Sequence, residues 1–182
     1  MNEEQQSGND EPVYSRHVLD FLTVANEYCL SLEKSQQYTR NELFSFLQKI
    51  APMIYLKAVL LPDTESSDEE ATEHFVTEEE WETMFNELYR KFGENDSFSY
   101  VDLRENSHHD PIKASLAECF TDVYQDLRDF ILLYQKPRKA HKENAVRECR
   151  KLFENRFGYR LLIAQAAIHN ILYVSTDNIY EF

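Results

Sequence analysis

An all-α fold, a single bundle of five or six helices, is what this sequence predicts, and three observations predict it. The 182 residues hold only three glycines and five prolines, too few breakers for a sheet stitched by many tight turns. A hydrophobic fraction of 42% and an aromatic fraction of 13% belong to a chain that buries a core. Apolar residues also recur at the 3.6-residue helical period between successive capping signals. The length suits one domain, a bundle over 13–173 with a polar, disordered lead-in at 1–12 and a tail at 174–182.

Ser15 is placed to cap a first helix running to about Lys34, with Val18, Phe21, Leu22, Ala25, Cys29 and Leu32 on its inner stripe. Thr39-Arg40-Asn41-Glu42 is a capping box that opens a second helix, whose stripe is Leu43, Phe44, Leu47, Ile50 and Ile54. Pro52 removes a backbone donor inside that pattern, so a kink or break is expected near Ile50, and Pro62 is the stop. Thr77-Glu78-Glu79-Glu80 is a second capping box; Trp81, Met84, Phe85, Leu88 and Phe92 follow, and Gly93 closes the helix. The connector from Glu94 to His109 is long enough to be functional or mobile, and Tyr100, Val101 and Leu103 alternate too briefly to make a strand. Asp110-Pro111 reads as a cap followed by proline at the first helical position. The fourth helix then runs to about Tyr134 on Leu116, Phe120, Val123, Leu127, Phe130 and Tyr134. A fifth, about Arg138 to Asn155, follows Pro137, and Gly158 breaks or relaxes the chain before Tyr159 to Tyr173.

The formal net charge of −14 disfavours nucleic acid as a partner, because phosphates would be repelled. The charge is segregated: Asp63 to Glu82 carries ten carboxylates and no Lys or Arg, while Lys136 to Arg160 carries nine bases against three acids. The acidic run, lacking apolar residues to dock it, is expected to be mobile and to leave the basic helix free for an anionic partner. Met1 to Glu11 has neither a basic nor an apolar leader region. The longest apolar stretch, Leu161 to Val174, is too short and too polar to span a bilayer. Cys29, Cys119 and Cys149 lie on apolar stripes without metal or redox spacing; free, reduced thiols in a cytoplasmic protein are expected.

No catalytic or cofactor-binding residue, and no cofactor, is assigned. There is no phosphate-cradling Gly-rich loop, no nucleophile elbow and no His-Glu-x-x-His. Glu118, Asp122, Asp126 and Asp129 are spaced three and four apart and share a helix face. Placed opposite the apolar stripe, they read as a largely exposed, solvated face; the alternative is a metal or partner surface. Glu78, Glu79 and Glu82 supply half of the carboxylate pattern of all-α nucleotide pyrophosphohydrolases, but no partner motif follows at a workable distance. His109-Asp110 resembles the dyad of helical metal-dependent phosphohydrolases, for which His17, His74, Asp122 and Asp126 would have to complete the set. Glu118, Asp122, Asp126, His109 and Asp110 are therefore the residues to which a metal would go if one binds. His169, among Ile168, Ile171 and Leu172, is expected in the core.

Three segments carry a resemblance: Val18 to Leu32 (VLDFLTVANEYCLSL), Tyr55 to Pro62 (YLKAVLLP) and Ser115 to Leu127 (SLAECFTDVYQDL). Together they resemble a bacterial family of uncharacterised proteins, domain of unknown function 5063, over about Val13 to Tyr173. Asp122, Tyr124, Asp126 and Leu127 match that family's central motif. Glu118-Cys119 stands where the motif is richer in paired Asp, and Phe157-Gly158 stands where the family has Trp-Gly. The resemblance implies a helical fold and a bacterial origin, points to Asp122 and Asp126, and brings no activity with it. The expected function is a non-enzymatic helical module that binds another protein or acts as a regulatory accessory factor. The alternatives are a metal-dependent phosphohydrolase built on the fourth helix, or an acidic mimic of nucleic acid built on Asp63 to Glu82.

Overall fold

The computed structural model describes residues 11–102 and 110–174, and their architecture follows from where the capping signals fall. A short 3-10 turn, Pro12–Tyr14, puts Val13 in the core and leads into α1, Arg16–Glu33. Helices α2 (Arg40–Val59) and α3 (Glu78–Phe92) each begin at the expected capping box, with both reciprocal hydrogen bonds formed. Gly93 closes α3 with φ +58°, a backbone conformation that costs a side-chain-bearing residue energy. Helix α2 runs unbroken through Pro52. The proline has no N–H to give the carbonyl of Gln48, and Gln165 Nε2 of the last helix donates to that oxygen instead, at 3.2 Å.

The expected start of the fourth helix at Asp110-Pro111 is corrected. Residues 112–115 form a strand, β2 (Ile112–Ser115), paired antiparallel with β1 (Ser97–Tyr100) in the register Phe98 to Ala114. This hairpin occupies part of what reads as an irregular connector. Helix α4 begins only at Leu116, and Ser115 Oγ accepts from the Glu118 amide at 3.1 Å. Buried Asp96 takes two more of the helix's first amides: its carbonyl accepts from Leu116 N–H and its Oδ1 from Ala117 N–H. Ser115-x-x-Glu118 has the spacing of the other two boxes.

Helix α4 (Leu116–Tyr134) is the centre of the bundle, packed against α1, α3, α5 (Lys139–Leu152) and α6 (Gly158–Tyr173), while α2 packs on α1 and α6. Its stripe residues Leu116, Phe120, Val123 and Leu127 are fully buried, as expected. A helix with neighbours on every side has little solvated face. Asp122 and Asp126 are accordingly 8% and 4% exposed, which overturns the expectation that they lie largely in water; Glu118, near the helix end, is exposed. Helix α5 (Lys139–Leu152) passes through a π turn, Phe153–Phe157, directly into α6 (Gly158–Tyr173). His169 is exposed, its ring 5.0 Å from that of Tyr173, so it is not the core histidine its neighbours suggested. The three cysteines are buried and free.

The acidic run is not a loose loop. Asn144 of α5, wholly buried, donates from Nδ2 to the carbonyls of Asp68 and Ala71, and Glu143 accepts from the backbone and hydroxyl of Ser67. Arg138 pairs with Asp68, Arg147 with Glu69 and Lys136 with Glu73. Docking of this strap, residues 63–77, needs no long apolar run, because α5 side chains reach its backbone, Ala71 is buried and Phe75 packs against the core.

Among the described residues no helix is long and apolar enough to cross a membrane.

Candidate functional site

The carboxylates of α4 are divided among α3, α6, the π turn and the acidic strap, with Glu118 and Asp122 sharing Arg160. Asp122 Oδ1 accepts from Trp81 Nε1 of α3 at 2.9 Å, and Oδ2 pairs with Arg160 Nη2 of α6 at 2.9 Å. Glu118, a turn earlier, lies 3.5 Å from the other arm of the same guanidinium. Asp129 Oδ1 accepts from the amides of Phe75 and Val76, and Oδ2 lies 3.1 Å from His74 Nδ1. These bonds hold the end of the acidic strap where it turns into α3. Asp126 faces the π turn, its Oδ1 3.2 Å from Arg156 Nη2, while Gln125 Oε1 accepts from the same guanidinium.

The π turn is what brings these cations to α4. Its extra backbone position re-aims Arg156 and Arg160 relative to the regular period of α5 and α6. Gly158 permits it: a Cβ there would lie 2.6 Å from the carbonyl oxygen of Phe153 and 2.8 Å from its ring.

Asp126 is the one carboxylate left partly unsatisfied, its Oδ2 buried without a hydrogen-bond partner among the described residues. Burial pushes its pKa up to about 7; Arg156 opposes the shift, and Asp122 and Asp129 add to it. Cys149 of α5 is close enough to feel that charge, and burial first, then Asp126, raises its thiol well above the ordinary range. Asp126, Asp129 and His74 line a cleft of about 290 Å³ between α4, α5 and the strap, floored by Phe130, Leu133 and Leu152.

The residues named as metal candidates are thus not gathered at one point. Asp122 and Asp126 are engaged by arginines, Glu118 lies at the rim, Asp110 is exposed, and His109 falls outside the described residues. Among the described residues no three His, Cys, Asp or Glu side chains are grouped to share a metal ion. Glu78, Glu79 and Glu82 are exposed on α3, where Glu80 serves the cap. His17 is exposed on α1, and His74 comes to Asp129 rather than to Asp122.

A second feature went unread in the sequence. Met53, Leu56 and Val59, on the outer face of α2, and Leu60, its C-cap, are 47%, 60%, 55% and 40% exposed. The signal was present as an excess: Leu56, Val59 and Leu60 fall outside the inward stripe of α2, which is therefore too apolar for a helix with one buried face.

The sequence model of a family described as "Domain of unknown function (DUF5063)" matches residues 12–174. The crystal structure of protein BF1032 from Bacteroides fragilis is similar in sequence and fold, with 30% identity and a TM-score of 0.81, over 91% of this chain and 98% of that one. No curated protein matches the sequence.

Proposed function

The chain belongs to the DUF5063 family, and from that premise we propose that it is a non-enzymatic binding module that docks an amphipathic helix of a partner protein on the outer face of α2. The observation that carries this is the run Met53, Leu56, Leu60, exposed on successive turns and spaced three and four residues apart. That is the spacing with which one helix seats its apolar side chains on another. Large side chains exposed singly need no explanation, whereas a contiguous apolar patch marks an interaction surface. Lys49, one turn before Met53 and hydrogen-bonded to Ser45 Oγ, is placed to meet a carboxylate of the incoming helix. A second copy of this chain is a poor occupant, since two bodies of net charge −14 repel.

The α4 carboxylates support the same reading from the other side. Asp122 and Asp129 are spent on bonds that join α3, α6 and the strap to the bundle centre, which leaves the phosphohydrolase reading without a supporting geometry. In the acidic run Asp68, Glu69 and Glu73 are paired with Arg138, Arg147 and Lys136, which leaves less free charge for a nucleic-acid mimic.

The test compares the wild-type chain with Met53→Glu/Leu56→Glu, and with Leu162→Glu as a control on the surface of α6. A protein captured from the native host is purified and titrated against all three. The expected result is binding by the wild type and the control, weakened at least about tenfold in the double variant. Equal binding by all three overturns the proposal. A concentration-dependent dimer in light scattering that the double variant abolishes assigns the face to a second copy and also overturns it.

A further inference from the structure

We propose that the outer edge of β1 takes up an extended segment of a partner protein as a third strand, one with apolar side chains at alternate positions and a Lys or Arg at its flank. The inference is independent of the α2 face. It starts from the hydrogen bonding of the hairpin. In an antiparallel pair, alternate residues bond across the ladder, and those between them turn their N–H and C=O groups outward. The Asp96 carbonyl accepts from Leu116 N–H, in phase with the register Ser97 to Ser115. Phe98 and Tyr100 therefore bond to β2, while the backbones of Ser97 and Ser99 face away from it. Neither serine has a backbone bond on that side to another described residue, and both are exposed. What complements an open ladder edge is another extended backbone.

That edge faces α6. The Val101 carbonyl, next in the alternation, accepts from Tyr159 Oη of α6 at 3.5 Å, and the rings of Tyr100 and Tyr159 meet edge to face. Between strand and helix runs a groove of about 500 Å³, bordered by Ser97, Phe98 and Ser99 on one side and by Ile163, Ala166 and Ile171 on the other. The α6 residues share one helix face; Ala166 is exposed, and Ile163 and Ile171 are half-buried. A strand laid along β1 turns every second side chain onto this apolar floor. Its main chain then supplies affinity and its alternate side chains specificity. Among the described residues no Lys or Arg lines the groove, and Glu94, its side chain 86% exposed, borders the Ser97 end. Charge complementarity thus places the cation of the incoming segment at that end.

The experiment titrates the full ¹⁵N-labelled chain with the peptide acetyl-Lys-Val-Thr-Val-Thr-Val-Lys-amide and follows amide shifts. Saturable shifts are expected at Ser97, Ser99, Ala166 and Ile171. The same peptide with proline at its three central positions keeps the lysines and the outer valines but cannot pair as a strand, and is expected to leave them unmoved. With Glu in place of both lysines, binding is expected to weaken at least about threefold. Ser99→Pro removes an outward N–H and spares the bonds to β2, at a place where edge strands accept proline. It is expected to weaken the first peptide about tenfold or more, whereas Ser99→Ala binds as the wild type does. Ala166→Lys sets a cation in the apolar floor without touching the hairpin and is expected to abolish binding; thermal melts verify that all three variants fold. No shifts with the first peptide, equal shifts with the proline or Glu peptide, or affinity unchanged in Ser99→Pro or Ala166→Lys overturns the proposal. A concentration-dependent dimer that Ser99→Pro abolishes assigns the edge to a second copy and overturns it too.

Discussion

Asn144 Nδ2 donates to the carbonyl of Ala71 at 2.9 Å in a buried contact that joins helices to strap across 73 residues of sequence. The same amide reaches the carbonyl of Asp68, which also accepts from the Ala71 N–H, so one side chain of α5 ties down both ends of this turn of the strap. This bond, more than the surface ion pairs around it, is what holds the acidic run in place, because exposed pairs contribute only about 0–1 kcal/mol each.

Asn144→Ala is expected to release the strap at a cost of about 1–3 kcal/mol, the penalty for leaving the buried Ala71 carbonyl without a donor. Glu-specific proteolysis between Glu65 and Glu73 should be slow in the wild type and fast in the variant. Raising the salt concentration should accelerate wild-type cleavage only slightly. Rapid cleavage of the wild type at every salt concentration would mean that the strap is not docked in solution.

Asp126 gives the fold a pH dependence of definite sign. Its folded pKa is about 7 against an ordinary value of 3.8, so the folded state binds the proton more tightly than the unfolded one. The contribution is fully present below pH 3.8 and is lost as pH rises to about 7, with a limiting slope of about 1.4 kcal/mol per pH unit. The charged groups around it are Arg156 of the π turn, Asp122 and Asp129 of α4, and Arg160 of α6. Asp126→Asn removes the titration, so the stability of the wild type relative to this variant should fall between pH 4 and pH 7 in paired urea titrations. A difference that stays flat, or grows, across that range is inconsistent with a proton held at Asp126.

At Gly158 the predicted cost is steric. A methyl group would sit 2.6 Å from the Phe153 carbonyl oxygen, which is backbone and cannot swing aside. Gly158→Ala should therefore destabilise by about 1–3 kcal/mol, although alanine is elsewhere the better helix former. A chemical-denaturation midpoint equal to or above that of the wild type would show that the π turn adjusts without strain.

Phe120→Ala tests the bundle centre. The ring is fully buried and packs at 6.2 Å from that of Phe92, while Tyr28 Oη donates to the Phe120 carbonyl at 2.7 Å. The substitution should cost about 3–5 kcal/mol through lost burial and a cavity, read as a lowered urea midpoint. The Tyr28 bond is to backbone and should persist. A loss below about 1 kcal/mol would place Phe120 in a site that collapses freely.

What the sequence determined by itself was local. Thr39 and Thr77 with their glutamates start α2 and α3, Gly93 ends α3, and the period of Leu116, Phe120, Val123 and Leu127 defines the inner stripe of α4. Each of these rests on residues within a few positions of one another, where capping and periodicity operate. The site was legible only by halves. Asp122 and Asp126 stood out by spacing, and Arg156 and Arg160 as part of a basic stretch, yet nothing near either group in sequence joins them. Only the tertiary structure decided that α4 has neighbours on all sides, so that residues opposite its apolar stripe enter a second interface and not water. The helical period gives the direction in which a side chain points; how many elements lie in that direction depends on the packing of the whole chain. The same packing brought Arg156 to Asp126, Arg160 to Asp122 and Asn144 to the acidic strap.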